Sequence, residues 1–471
     1  VGAPHGRDYR AHGAPLQVVS SELMALFDLA FPVSAADHRT ALRDLRAVDE
    51  EPVYYSFSYP VARWLARRCP GELAIDWDGF EDTTRLDELL ARILHPAEDE
   101  YFDSGWVDTR GWLDAARGAT GAFDWIMAQL GARRLQPFWS QLYDAADIPL
   151  TWNVAGSRYS KGRNRLAPAG IVVRDAGMRP RPRYPKREIM RPLAAIERLD
   201  ARRGARLIDV AMASLAARHR ETYHFNHANP REVYLADVGA GVSVAVFGLL
   251  PEHRFPLECT MGYLVLANGV PIGYGGASAL FKQVNTGINI FDDFRHSEAA
   301  FLWTQVMRVY HALTGCTRFI ANAYQFGGDN TEALKSGAFW FYYRLESSRL
   351  RRDTAYRSSV QTLRKLASCD MHLTLPGAKA RDFFDERWFD TVSLLATQSL
   401  AAAGPTARRR SAALAPILAA VPSADWTPAD KRRAARLLRA KAGPYELAYA
   451  RLLAGHDKLL IALKKACRNA W

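Results

Sequence analysis

The chain has 471 residues, a formal net charge of +12, 49% hydrophobic and 24% charged residues, proportions ordinary for a soluble globular protein with two to four domains. Its longest apolar runs, 207–217 and 242–250, fall short of the ~18–20 residues of a membrane span. The first residues hold no continuous apolar segment, so a cytoplasmic location is the expectation. Cys69, Cys259, Cys316, Cys369 and Cys467 are odd in number and widely spaced, which argues against a disulfide framework and a structural zinc site.

The charge is uneven. Residues 401–471 carry fourteen Lys and Arg against four acids, whereas residues 71–110 carry twelve acids against three Arg. A basic end suits nucleic acid or an anionic surface, and the acidic block offers a partner within the chain or across a homo-oligomer.

In chain order, residues 1–150 read as a mostly helical domain. Apolar positions Leu23, Leu26, Phe27 and Leu29 keep helical spacing, a second helix enters through Ser34, and TTRLDELLARIL shows one apolar face. Tyr54, Tyr55, Phe57 and Trp64 belong to a core or line a ligand pocket. Residues 151–205 are dense in Arg, Pro and Gly and read as a linker or extended arm, within which SRYSKGRNR has the composition of a phosphate or RNA contact. An apolar helix from Leu207 leads to His219, His224 and His227, which read as polar residues at a helix end, because no matching metal spacing surrounds them.

From 206 to 350 the pattern changes to strands and helices. Tyr263–Ala267, the Asn268–Gly269 turn and Val270–Tyr274 form a hairpin, since Asn-Gly supplies the two positive φ angles of a type I′ turn. A strand follows through 287–291, then a helix from Glu298 to Leu313 ended by Gly315, a strand from Arg318 to Phe326 and a helix over 331–345. Residues 351–471 read as a basic helical region, with a capped helix opened by Thr427-Pro428.

The order of elements in 206–350 resembles the GNAT superfamily of acyl-CoA N-acyltransferases. NIFDDFRHSEAAFL is similar to that family's central strand and pyrophosphate loop, and KSGAFWFYYRL to its last helix. The resemblance implies an α+β fold with a GNAT-like central mixed sheet and packed helices, flanked by mostly α-helical ends. It places Arg295, His296, Ser297 and Ala300 at the donor's phosphates, and Tyr342, with Tyr343 next to it, as the acid for the leaving group. Glu258, Asp292 and Asp293 are the carboxylates able to take a proton, and Asn289, Asn322 and Tyr324 would line the acceptor side from alternating strand positions. Glu298 stands where the family has a loop glycine, and its carboxylate would fill the positive end of the helix dipole that should hold pyrophosphate.

The expected function is transfer of an acyl or aminoacyl group to an amine, with no tightly bound cofactor or metal. Acyl-CoA or aminoacyl-tRNA is the co-substrate, the latter as in the Fem-type relatives of this fold, and the acceptor is a small-molecule or peptide amine. The alternative is a non-catalytic scaffold that uses its charged ends, with tRNA among its partners.

Overall fold

The structure, a computed structural model, describes residues 24–47, 50–95, 97–98, 100, 105, 107–168, 170–174, 178–255, 258–294, 298–335, 338–339, 341–342, 371–379, 383, 427–429, 432, 446–455, 457–458 and 460–461. Residues 24–30 are helical, and Ser34 opens α1 (Ala35–Ala47) by accepting the Asp37 backbone N–H at 3.0 Å. The remaining helices of this half are α2 (Tyr59–Arg68), α3 (Thr84–Ala91), α4 (Thr109–Arg117), α5 (Ala122–Gly131) and α6 (Gln136–Ala146). Leu86, Leu89 and Leu90 of α3 are buried, as their spacing requires. A small antiparallel sheet, absent from the helical expectation, joins β1 (Val53–Tyr54), β3 (Leu150–Trp152) and β2 (Leu73–Ile75), with β3 in the centre. Strands this short show too little alternation to read, and distant β3 supplies the partner for both.

The second half is built on a nine-stranded sheet. Its strands are β4 (Ile196–Arg198), β5 (Ala228–Gly239), β6 (Val242–Leu249), β7 (Cys259–Ala267), β8 (Val270–Leu280), β9 (Gln283–Thr286), β10 (Asn289–Ile290), β11 (Arg318–Ala321) and β12 (Met371–Thr374). In space the order is β12-β11-β9-β8-β7-β6-β5-β4, with β10 paired to β8, and every pairing is antiparallel except β11 with β9. The β7–β8 turn has Asn268 and Gly269 at φ 47° and 79°, as a type I′ turn demands.

The sheet is covered on both faces. On one side lie α8 (Ala201–Ala216), which approaches β5 so closely at Gly204 that a Cβ there would collide with the Pro230 backbone, and the short α9 (Tyr223–Asn226). On the other lie α10 (Ala299–Thr314), ended by Gly315 at φ 75°, and α13 (Glu446–Ala454). The crossover between the parallel strands β9 and β11 runs through α10. Between β11 and β12 the described helices are α11 (Ala323–Phe326) and α12 (Thr331–Lys335). Among the described residues no helix is long and apolar enough to cross a membrane.

Residues 151–205 form an arm fastened along its length. Leu166 N donates to Gly269 O at 2.9 Å, and Asn268 ties Val172 and Ala30 to the hairpin turn. Short helix α7 (Pro185–Met190) then packs on α10, where Arg308 holds the Arg191 and Pro192 carbonyls. The SRYSKGRNR stretch has a structural task as well. The consecutive amides of Lys161 and Gly162 donate to Glu50 at 2.9 and 3.1 Å, so the chain's own carboxylate fills this anion-binding nest. The N-terminal half docks on α8 through Trp64 Nε1 and Arg68, both bonded to Asp209.

Several sequence expectations change. The strand expected over 287–291 survives only as Asn289–Ile290, and that over 318–326 ends at Ala321, because Asn322 caps α11 with Oδ1 accepting Gln325 N at 3.0 Å. The region after 351, expected to be helical, contributes β12 to the sheet edge. The basic run and its helix after Thr427-Pro428 lie mostly outside the described residues.

Candidate functional site

The only parallel pair in the described sheet defines its one switch point. Three residues of β11 pair with β9, at Arg318↔Gln283, Phe319↔Val284 and Ile320↔Asn285. Beyond them the strands part: one chain stays beside β8, while the other turns into α11 at Asn322. A crevice outside the carboxyl ends of neighbouring parallel strands is where open mixed sheets bind ligands.

At that crevice the ladder is interrupted. Thr286 faces Ala277 and Asn289 faces Tyr274, a constant register that sets Gly287 and Ile288 opposite Gly276 and Gly275, yet neither pair is joined. Two tyrosines satisfy the freed groups instead. The Tyr263 hydroxyl donates to the Gly287 carbonyl, and Ile288 N donates to Tyr342 Oη at 3.1 Å. Thr286 Oγ1 completes the break by donating to Gly276 O at 3.0 Å. On the parallel-strand side this leaves a backbone N–H held, among the described residues, by a phenol oxygen, with Tyr342 Oη also 3.4 Å from Gln325 Oε1.

Glycines make the floor. A Cβ on Gly275 would enter the Tyr263 ring, one on Gly287 the Gln325 carboxamide, and one on Gly276 the His224 imidazole, with Nε2 at 2.5 Å and Nδ1 at 3.0 Å. Gly262, opposite Gly276, leaves the same room for His224 Cβ at 2.8 Å. The titratable side chains here are largely buried. Burial pushes the Tyr342 phenol up to about 12 against the opposing Ile288 N–H, and it raises Tyr263 as well. Burial also lowers His224 to about 4, so at neutral pH Tyr342 keeps its proton and the imidazole is uncharged.

Of the residues singled out by sequence, Tyr342 lies in this crevice. Asn322 and Tyr324 flank it from α11 rather than from a strand, with Tyr324 62% exposed, and Asn289 is exposed on β10. Asp293 is held by Arg218 at 2.6 Å, and Arg218 in turn covers the Phe291 ring. Asp292 stands 3.9 Å from Arg220. Glu258 precedes β7, four residues before the level of Gly262 and so roughly 13 Å along the strand from the break. Ala300 sits in the first turn of α10, where its carbonyl accepts Thr304 Oγ1. Arg295, His296, Ser297 and Tyr343 lie outside the described residues.

Glu298 does not cap α10. Its buried carboxylate takes both Nη atoms of Arg174 and the Arg179 backbone N–H at 2.7 Å, while Arg174 stacks over Phe31 and Arg179 over Phe301. The arm thus crosses the N-terminal end of α10 and is anchored there.

Sequence reasoning missed Gln325, Tyr263 and the glycine floor, and it left His224 as a polar helix end. The dense run Gly273-Tyr-Gly-Gly-Ala-Ser278 inside a strand is the signal of close approach that points to them. Among the described residues no group of three or more His, Cys, Asp or Glu is placed to hold a metal ion. His227 and His253 instead stack face to face, with ring centroids 3.6 Å apart. The chain matches no family model, and neither a curated protein nor a solved structure matches it.

Proposed function

We propose that the chain is an acyl- or aminoacyl-transferase acting on an amine, with a central region of the GNAT type. The observation that carries this reading is the Ile288 N–H at the parting of β9 and β11, held by the hydroxyl of Tyr342. A thioester or ester carbonyl entering the opening would displace Tyr342 Oη from that amide. The amide then polarises the carbonyl and stabilises the oxyanion of the tetrahedral intermediate. As the amine nitrogen bonds to the carbonyl carbon and the C–S or C–O bond breaks, the freed Tyr342 hydroxyl delivers its proton to the leaving thiolate or alkoxide. A phenol raised to about 12 gives that proton downhill to an alkoxide and uphill to a thiolate, which is the weaker base.

The donor is the more restricted partner. The Arg174–Glu298 bridge fills the end of α10 where a diphosphate would dock, which supports an aminoacyl-tRNA or a carrier-protein thioester over free acyl-CoA. Calorimetry and thermal shift with acetyl-CoA, longer acyl-CoAs and charged tRNA test the reading. Stabilisation by one of these is the expected result; none from any donor would return the chain to a scaffold. Tyr342→Phe leaves the Ile288 N–H without its phenol acceptor, a cost of about 1–3 kcal/mol, so it should stay folded by near-ultraviolet circular dichroism while transfer slows by about 100-fold or more. An unchanged rate would remove Tyr342 as the acid.

A further inference from the structure

We propose that His224 is the group that takes the proton from the attacking amine, an inference that rests on the transferase reading above. Gly276 and Gly287 stand opposite each other in the β8 register. Directly opposed residues of an antiparallel pair project from one face with Cβ positions about 5 Å apart. The His224 imidazole occupies the Cβ direction of Gly276, and the Gln325 carboxamide that of Gly287. The two side chains therefore lie next to each other on one face of the sheet, and Gln325 reaches the Tyr342 hydroxyl at 3.4 Å.

A carbonyl held by Ile288 N–H would then lie between the two faces of the sheet, with Tyr342 packed against Trp303 of α10 on one side and His224 over Gly276 on the other. The Gln325 carboxamide between His224 and the Tyr342 hydroxyl is what an entering amine replaces. Close backbone approach from Gly262 and Gly276 is what admits the ring, so two strands give up side chains at this one place.

The imidazole is also unengaged. Among the described residues it makes no hydrogen bond or ion pair, in contrast to its neighbours on the same turn. Glu221 is bonded to Ser58 and Asn226, Arg220 lies by Tyr274 and Asp292, and His227 is stacked on His253. Burial alone lowers its pKa, with no charged side chain acting on it, so the ring is neutral, and it gains basicity only when an opposite charge such as the developing oxyanion comes near. Overall the amine loses one proton to His224, the C–N bond forms, the donor bond breaks, and Tyr342 protonates the leaving group. The proton on His224 then passes to solvent and Tyr342 is reprotonated, so the balance is amine plus acyl donor to amide plus free thiol or alcohol.

The test uses the full chain, S-acetyl-N-acetylcysteamine as a small thioester donor, and butylamine or lysine as acceptor, with thiol release followed by a chromogenic disulfide. His224→Ala is expected to lower amine-dependent release by about 100-fold, with partial rescue by added imidazole and an altered pH profile. His224→Gln keeps a polar side chain of similar length and should fail in the same way. A second measurement needs no turnover: the imidazole resonance that disappears in His224→Gln should shift on titration with butylamine. Rates within twofold of wild type, or a loss without imidazole rescue, would overturn the proposal. If wild type releases no thiol but the resonance shifts, the transferase reading fails and His224 remains an amine-binding group. With neither release nor shift, both fall.

Discussion

Replacing Glu232 by Gln should remove a pH dependence that the fold builds into the seat of α13. Glu232, Arg254 and Glu446 meet with side chains 0%, 2% and 0% exposed, so two carboxylates share one guanidinium away from water. Arg254 Nη2 lies 3.0 Å from Glu232 and Nε 2.7 Å from Glu446, and the Glu446 backbone N–H donates to both oxygens of Glu232 at 3.0 and 2.9 Å. Burial raises Glu232 from its ordinary 4.5 to about 7, outweighing the Glu446 N–H and the Arg254 charge, which pull it down. Because the folded state holds the proton more tightly than the unfolded one, the contribution is complete below about 4.5 and is lost as pH rises through about 7. At about 1.4 kcal/mol per pH unit this amounts to a loss on the order of 3 kcal/mol across that window. Urea denaturation between pH 5 and 8, with hydrogen exchange of 446–454 corrected for intrinsic rates, measures it. Wild type should loosen its hold on α13 as pH rises, and Glu232→Gln should flatten that slope. An equal slope in both proteins would refute the argument.

Two further predictions concern the arm and the floor. Arg174→Ala leaves the Glu298 carboxylate buried without its guanidinium and should cost about 3–5 kcal/mol in urea denaturation, with part recovered by Glu298→Gln in the same chain. Gly276→Ala puts a methyl group inside the His224 ring and should cost about 1–3 kcal/mol by thermal shift while shifting the His224 imidazole resonance.

The parts legible in sequence were those governed by local chemistry. The Asn268–Gly269 turn needs two positive φ angles, and Gly315 stops α10 in the left-handed conformation, so each is written in one or two residues. Asn322 alternates with Tyr324 as strand residues do, which hides its capping role. Asn322-Ala-Tyr-Gln325 carries the spacing of a capping box, and that signal was available. The break at Gly287–Ile288 was not available, since its cause lies in hydroxyls from Tyr263 and Tyr342, 24 and 54 residues away. The same holds for β12, a four-residue edge strand whose partner lies some fifty residues earlier, and for Arg174, which meets Glu298 across 124 residues.

That last pair bears directly on the proposed chemistry. By sequence the Glu298 carboxylate sits on the dipole at the start of α10; in the fold it belongs to the arm, with a guanidinium and a backbone amide as its partners. A diphosphate docking there would bring like charge against Glu298 and compete for Arg174. Breaking a buried pair of this kind costs about 3–5 kcal/mol, equivalent to roughly 150- to 5000-fold in affinity. A carbonyl entering at Ile288, by contrast, displaces a neutral phenol, Tyr342, from one backbone amide. On the proposed reading the reacting carbonyl therefore competes with one neutral hydrogen bond, whereas a diphosphate competes with a buried ion pair. The donor must bring its own anchorage, as a macromolecule-borne ester or thioester does, and a small thioester without a diphosphate should serve it better than acetyl-CoA.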